Sequence, residues 1–230
     1  MREIVLDTET TGFEPAEGHR IVEIGAVELF NHMPTGRTYH QYINPQRSMP
    51  AEAFAVHGLG DDFLRDKPVF AQIGAAFLEF VAEAPLVIHN AAFDMKFLNA
   101  ELGWANLPLL PMTCATDTLL IARRKFPGSP ASLDALCRRF GVDNSAREKH
   151  GALLDSEILA EVYLELIGGR QPDFGLVSNG PAQAGGAGQS GTWRPGPRPK
   201  PLAPRITQDE AAAHDAFVEK LGAAALWNKV

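Results

Sequence analysis

The chain has 230 residues, 45% of them hydrophobic and 21% charged, with 21 Lys and Arg against 28 Asp and Glu for a net charge of −7. That balance excludes a chain disordered throughout, and the acidity excludes a protein held to nucleic acid by a broad basic surface. No run of about 18 apolar residues is present, so no membrane span is expected, and two widely spaced cysteines, Cys114 and Cys137, favour a reducing cytoplasm over a disulfide scaffold.

In chain order, REIVLD (2–7) reads as a strand closed by Thr-Thr-Gly. A second strand spans 20–30, with Gly25 as an expected bulge, and a third spans 37–45, ended by Pro45. Helical spacing follows at 51–57 and 69–83. Residues 86–90 form a short apolar strand of the buried, parallel kind. Helix is expected again over 91–102, a strand end at 113–117, and helices over 117–126, 132–140 and 152–167. Early antiparallel strands followed by alternating helix and strand give an α/β fold, a mixed central sheet flanked by helices.

Residues 1–170 carry 15 Lys and Arg against 23 Asp and Glu, and are expected to form one domain. Residues 171–206 are rich in Gly, Pro, Ala and Gln, which fits a flexible linker. Thr207-Gln-Asp-Glu then starts a C-terminal helical tail, 207–230, whose apolar residues include Phe217, Leu221, Leu226 and Trp227.

Several residues carry chemistry. Asp7 and Glu9 are two apart in a strand, so their carboxylates point to the same side, where two anions suit a divalent cation; a solvated strand end is the plainer alternative. Asp94 follows a buried strand and sits in the first turn of a helix, where an acid matched to the helix dipole is also natural. Asn90 is placed to cap that helix or to orient a ligand, capping being the plainer of the two. His150 and Asp155 are five residues apart, a rotation of about 500° on a helix, so the two would not share a helical face. His150 therefore belongs to the loop before the helix, freed by Gly151. There a histidine near carboxylates suits a general base, although loop histidines are often only surface.

The order Asp-x-Glu, an acid after a buried strand, then His-x4-Asp resembles the DEDD exonuclease superfamily, in the subgroup with a catalytic histidine. The strings IVLDTETTG, HRIVEIGAVEL, EAFAVHGL, LVIHNAAFD, FPGSPASLDALCRRFGVDNSAREKHGALLD and ILAEVYLEL are similar to the proofreading epsilon-subunit family of bacterial DNA polymerase III, over residues 3–169. The resemblance implies a ribonuclease H-like fold and a 3′→5′ exonuclease that releases nucleoside monophosphates. It implies two divalent metal ions, Mg²⁺ or Mn²⁺, on Asp7, Glu9, Asp94 and Asp155, with His150 as general base. It places Thr10, Glu52 and His57 against the terminal nucleotide and Phe13 against its base. Its partners would be a DNA 3′ terminus, the polymerase catalytic alpha subunit through the C-terminal tail, and the sliding clamp through Gln171–Leu176. That last peptide departs from the stronger clamp-binding forms at Pro172 and Asp173. The resemblance leaves room for a small accessory subunit. Arg123, Arg124, Lys125, Arg138, Arg139, Arg147 and Lys149 are cations near the site that face either DNA or solvent. An RNA-trimming exonuclease and a catalytically silent scaffold are the competing readings.

Overall fold

The computed structural model of the chain describes residues 1–145, 149–168 and 206–221. The chain divides into two units, Met1–Gly175 and Leu176–Val230, which are taken one at a time.

The first unit is built on a five-stranded sheet. β1 (Arg2–Thr10), β2 (Ile21–Phe30) and β3 (Met33–Tyr42) form an antiparallel meander, and β4 (Leu86–Ile88) and β5 (Ala115–Asp117) extend it in parallel, in the order β3-β2-β1-β4-β5. β1 is therefore central and covered on both faces, which is why Ile4, Val5 and Leu6 run consecutively apolar and fully buried. Its even residues Ile4 and Leu6 meet α3 (Phe70–Val81) and α4 (Ala91–Trp104), in a core with Phe70, Phe77 and Phe97. Its odd residue Val5 joins Val27, Leu29, Leu159 and Tyr163 under α7 (Ala152–Ile167). A third apolar cluster ties α5 (Thr118–Lys125) and α6 (Leu133–Phe140) to α7 through Ala122, Leu136, Cys137, Val162 and Leu166.

Two shorter helices, α1 (Ala51–His57) and α2 (Asp61–Leu64), connect β3 to α3; α2 was not expected from the sequence. β3 begins at Met33 and not at 37, because β2 and β3 are joined by a two-residue turn. Asn31 and His32 both take positive φ there (50° and 64°), as a hairpin turn of this hand requires.

Gly25 departs from its expected role. The ladder passes straight through it, pairing Asp7 on one side and His40 on the other, and the register shifts fall between Glu9 and Thr10 and between Val27 and Leu29. A Cβ at residue 25 would lie 2.1 Å from the backbone of Ala152 and Leu153. Glycine is needed because the start of α7 rests on the strand itself, where Ser156 Oγ donates to Gly25 O at 2.9 Å.

In the second unit, α8 (Gln208–Leu221) begins at the expected start. Glu210 Oε2 accepts from Thr207 N at 2.8 Å and Glu210 N donates to Thr207 Oγ1 at 3.3 Å, a reciprocal cap. Phe217 and Leu221 are exposed. Leu226, Trp227, Arg147, Gln171–Leu176 and the stretch expected to be a linker lie outside the described residues. Among the described residues no helix is long and apolar enough to cross a membrane.

Candidate functional site

The end of β1 carries the first two carboxylates. Glu9 is 8% exposed, and Asp7 projects on the same side of the strand, toward α7. The close approach at Gly25 sets the start of α7 above them, so Asp155, in its first turn, is buried beside the strand end. His150 stands in the segment before the helix, as the rotation argument requires. Its backbone N donates to Val56 O at 3.3 Å, which rests the segment on α1, and its Nδ1 lies 3.3 Å from Asp155 Oδ2. Its side chain stays about half exposed, and Glu9, His150 and Asp155 each offer a donor atom within 4.8 Å of the others.

Asp94 arrives from the opposite face of the sheet. Thr8 points away from Asp7 and Glu9, and its Oγ1 donates to Asp94 Oδ1 at 2.7 Å. Burial at 3% exposure pushes the Asp94 carboxyl up to about 7, against the Thr8 hydrogen bond that favours its charge, with the nearby Asp117 carboxylate adding to the rise.

Asn90 does not cap α4 with its side chain. It takes a left-handed φ of 69°, and the capping group is Asp117, from 27 residues onward. The Asp117 carboxylate accepts from Asn90 N (3.3 Å) and Ala91 N (3.1 Å) at the start of α4. It also accepts from Leu119 N (2.8 Å) and Leu120 N (3.2 Å) at the start of α5. One side chain thus satisfies the orphan donors of two helices and fixes their relative position. Next to it, Thr118 Oγ1 donates to Ile88 O, and His89 Nδ1 lies 3.0 Å from the same hydroxyl. Burial holds His89 below the usual histidine pKa.

Two cavities meet at this point. The first, about 480 Å³, is lined by Asp7, Glu9, Asp94, His150 and Asp155 together, and also by His89 and Arg123. The second, about 310 Å³, is lined by Glu9, Thr10, Phe13, Glu52 and His57. Thr8, Glu9 and Phe93 belong to both. Phe13 is 82% exposed, and its carbonyl accepts from Lys96 Nζ at 2.9 Å. His57 is buried, with Nδ1 accepting from Leu59 N at 3.0 Å, so its proton sits on Nε2; burial keeps its pKa low. Of the cations named from the sequence, Arg124, Lys125, Arg138, Arg139 and Lys149 line neither cavity.

His89, Asp117 and His19 are site residues that the sequence reading passed over. His19 also lines the second cavity, its Nδ1 3.1 Å from Thr11 Oγ1, and a Cβ on Gly12 would strike its ring at 2.3 Å. The available signal was two histidines beside apolar strand runs, His19 at the head of HRIVEIGAVEL and His89 after the apolar residues of LVIHNAAFD.

The family model described as Exonuclease matches residues 4–163. The chain is 57% identical over 180 residues to DNA polymerase III subunit epsilon of Rickettsia felis, covering 77% of this chain and 79% of the relative. With the Escherichia coli K12 protein of the same name it shares 45% identity over 237 residues, covering 98% of this chain and 97% of that one. The chain belongs to the epsilon-subunit family of exonucleases. Like other members of that family it is a 3′→5′ exonuclease, a phosphodiester hydrolase. Among solved structures, the nuclease domain of 3′hExo, a DEDDh family member bound to rAMP, superposes with a TM-score of 0.61 at 20% identity over 72% of this chain and 91% of that one. Exonuclease X, in complex with a 5′-overhanging duplex, gives 0.54 at 24% identity over 71% and 90%. At such identity these likenesses establish the ribonuclease H-like fold of the epsilon-type body and nothing finer.

Proposed function

We propose that this chain is the proofreading exonuclease of a bacterial DNA polymerase III, removing mispaired 3′-terminal nucleotides as nucleoside monophosphates. The observation that carries the reading is the convergence of four carboxylates and one histidine, from both faces of the sheet, on a cleft continuous with a second, nucleotide-sized cavity.

The donor set fits two divalent cations, Mg²⁺ or Mn²⁺, held by Asp7, Glu9, Asp94 and Asp155. Burial, with the Asp117 carboxylate adding to it, drives Asp94 toward its neutral form when no cation is near, and four carboxylate donors in one cleft are the ligand type these cations prefer. When bound, the cations neutralise the carboxylates and stabilise charge developing on the phosphodiester oxygens. The remaining work belongs to the protein. His57 Nε2–H, Glu52 and Thr10 orient the terminal nucleotide, and Phe13 stacks against its base. His150 accepts the proton of the attacking water through the imidazole nitrogen that faces it. The water oxygen bonds to phosphorus, the P–O3′ bond breaks, and the leaving oxygen takes up a proton as the new 3′ hydroxyl. Selectivity needs no base code, because melting a terminal pair costs a few kcal/mol and less when it is mispaired.

The cluster of Glu9, His150 and Asp155 donor atoms favours a second role for His150, as a metal ligand. The two roles separate by measurement. A general base predicts that His150→Ala lowers kcat by roughly 10²–10⁴-fold with the Mn²⁺ dependence unchanged. A ligand predicts that added Mn²⁺ restores the rate.

For partners, residues 207–230 would anchor the chain to the polymerase alpha subunit, with 171–206 as tether and Gln171–Leu176 as a clamp contact; a tether raises the local concentration of nuclease at the primer end. A small accessory subunit would join the same assembly. The test is a gel assay on 5′-labelled single-stranded, matched and 3′-mismatched DNA, with Mg²⁺ or EDTA, beside Asp7→Ala. The expected result is shortening from the 3′ end, fastest on frayed ends and absent with EDTA or in the variant. Preference for RNA over DNA would replace proofreading with RNA trimming, and inert protein even with the polymerase subunit added would leave only a scaffold.

A further inference from the structure

We propose that Arg123 receives the phosphate of the retained strand immediately upstream of the bond that is cut. The inference rests on the exonuclease reading and adds to it the direction in which the strand leaves the site. The second cavity, with Phe13 and His57, has the size and groups for the terminal nucleotide, and meets the first at Thr8, Glu9 and Phe93. The rest of the strand must then run through the first cavity. Arg123 lines that cavity alone, and among the described residues no other Lys or Arg lines either.

Its surroundings suit the role. Arg2, Arg20, Arg37 and Arg65 each pair with a carboxylate, whereas among the described residues Arg123 forms no ion pair. It sits in the last turn of α5 next to Ala122, which is fully buried, so its backbone is anchored while its side chain is exposed. The Asp117 carboxylate joins the start of α5 to the start of α4, which holds Arg123 in fixed relation to Asp94. The carboxylates that hold cations at the scissile phosphate repel the next phosphate along, which has to be met by a separate positive group. A planar guanidinium does this with two parallel hydrogen bonds.

The experiment compares two substrates on the full chain. One is a single-stranded oligonucleotide. The other is the 4-nitrophenyl ester of thymidine 5′-monophosphate, which keeps the terminal nucleotide and carries no strand. Arg123→Gln should raise the oligonucleotide KM roughly 10-fold and reduce the salt slope of log(kcat/KM) by about 0.7. It should leave hydrolysis of the ester within about twofold and the melting temperature unchanged. Arg124→Gln, one residue on and outside the cavity, should alter neither substrate. Equal loss on both substrates, an unchanged oligonucleotide KM and salt slope, or an equal effect from Arg124→Gln would each overturn the proposal. Failure of the unsubstituted protein to cut either substrate with Mg²⁺ or Mn²⁺ would instead overturn the exonuclease reading beneath it.

Discussion

Asp94 shows how a single residue links the site to the stability of the whole chain. Burial raises its folded-state pKa from 3.8 to about 7, so the folded protein holds a proton there that the unfolded chain releases. The sign follows: this group's contribution is fully present at low pH and is lost as pH rises through the window from about 4 to about 7. Without metal, Asp94→Asn should therefore raise the melting temperature at pH 8 by roughly 3–8 °C while abolishing nuclease activity. Thermal melts in EDTA at pH 5 and pH 8 check this; a variant that melts lower at pH 8 would contradict it. Added Mg²⁺ should raise the melting temperature of the unsubstituted protein and do little for the variant. His150 is the contrasting residue. It is half exposed and outside the core, so His150→Ala should lose turnover with no loss of stability.

At the level of elements, the seat of α7 on β2 decides whether Asp155 and His150 reach β1 at all. Gly25→Ala puts a methyl group 2.1 Å from helix backbone, where no side chain can turn aside. The expected cost is about 3 kcal/mol, a fall of roughly 6–12 °C in melting temperature, with nuclease activity lost at temperatures where the helix signal is still intact. Parallel melting and activity curves measure both. Gly25 also marks where sequence reading stops. β1 was legible as a short continuous apolar run closed by Thr-Thr-Gly, and α4 and α7 by apolar residues recurring at helical spacing, and the four carboxylates and His150 could be ordered along them. A glycine within a strand signals equally a bulge or a close neighbour, and the neighbour here is 127 residues away in the chain, at Ala152. Asn90 does hold the N-cap position of α4, but the side chain that satisfies the helix start, Asp117, is remote in sequence and leaves no local signal. The turn at Asn31-His32 lacks the glycine that usually announces it, so β3 was expected to start late.

At the scale of the whole molecule, the body of the chain encloses its own apolar clusters and its complete set of candidate site residues, while α8 presents Phe217 and Leu221 to solvent. Deleting residues 207–230 should leave the melting temperature and oligonucleotide hydrolysis unchanged and should abolish co-elution with the polymerase catalytic subunit. Size-exclusion chromatography of the mixed proteins measures this, and retained co-elution would move the contact to another surface.

The candidate carboxylates are supplied from opposite sides of one sheet, Asp155 from the layer above and Asp94 from the layer below. The site is thus the seam between two separately packed layers, and a slip of either by a fraction of an ångström parts the donors while both layers stay folded. In a proofreading role such a loosened protein would still be made and still be recruited, but it would let errors through. Mild warming or a remote core substitution would then be felt first as a higher mutation rate, well before any growth defect from lost protein.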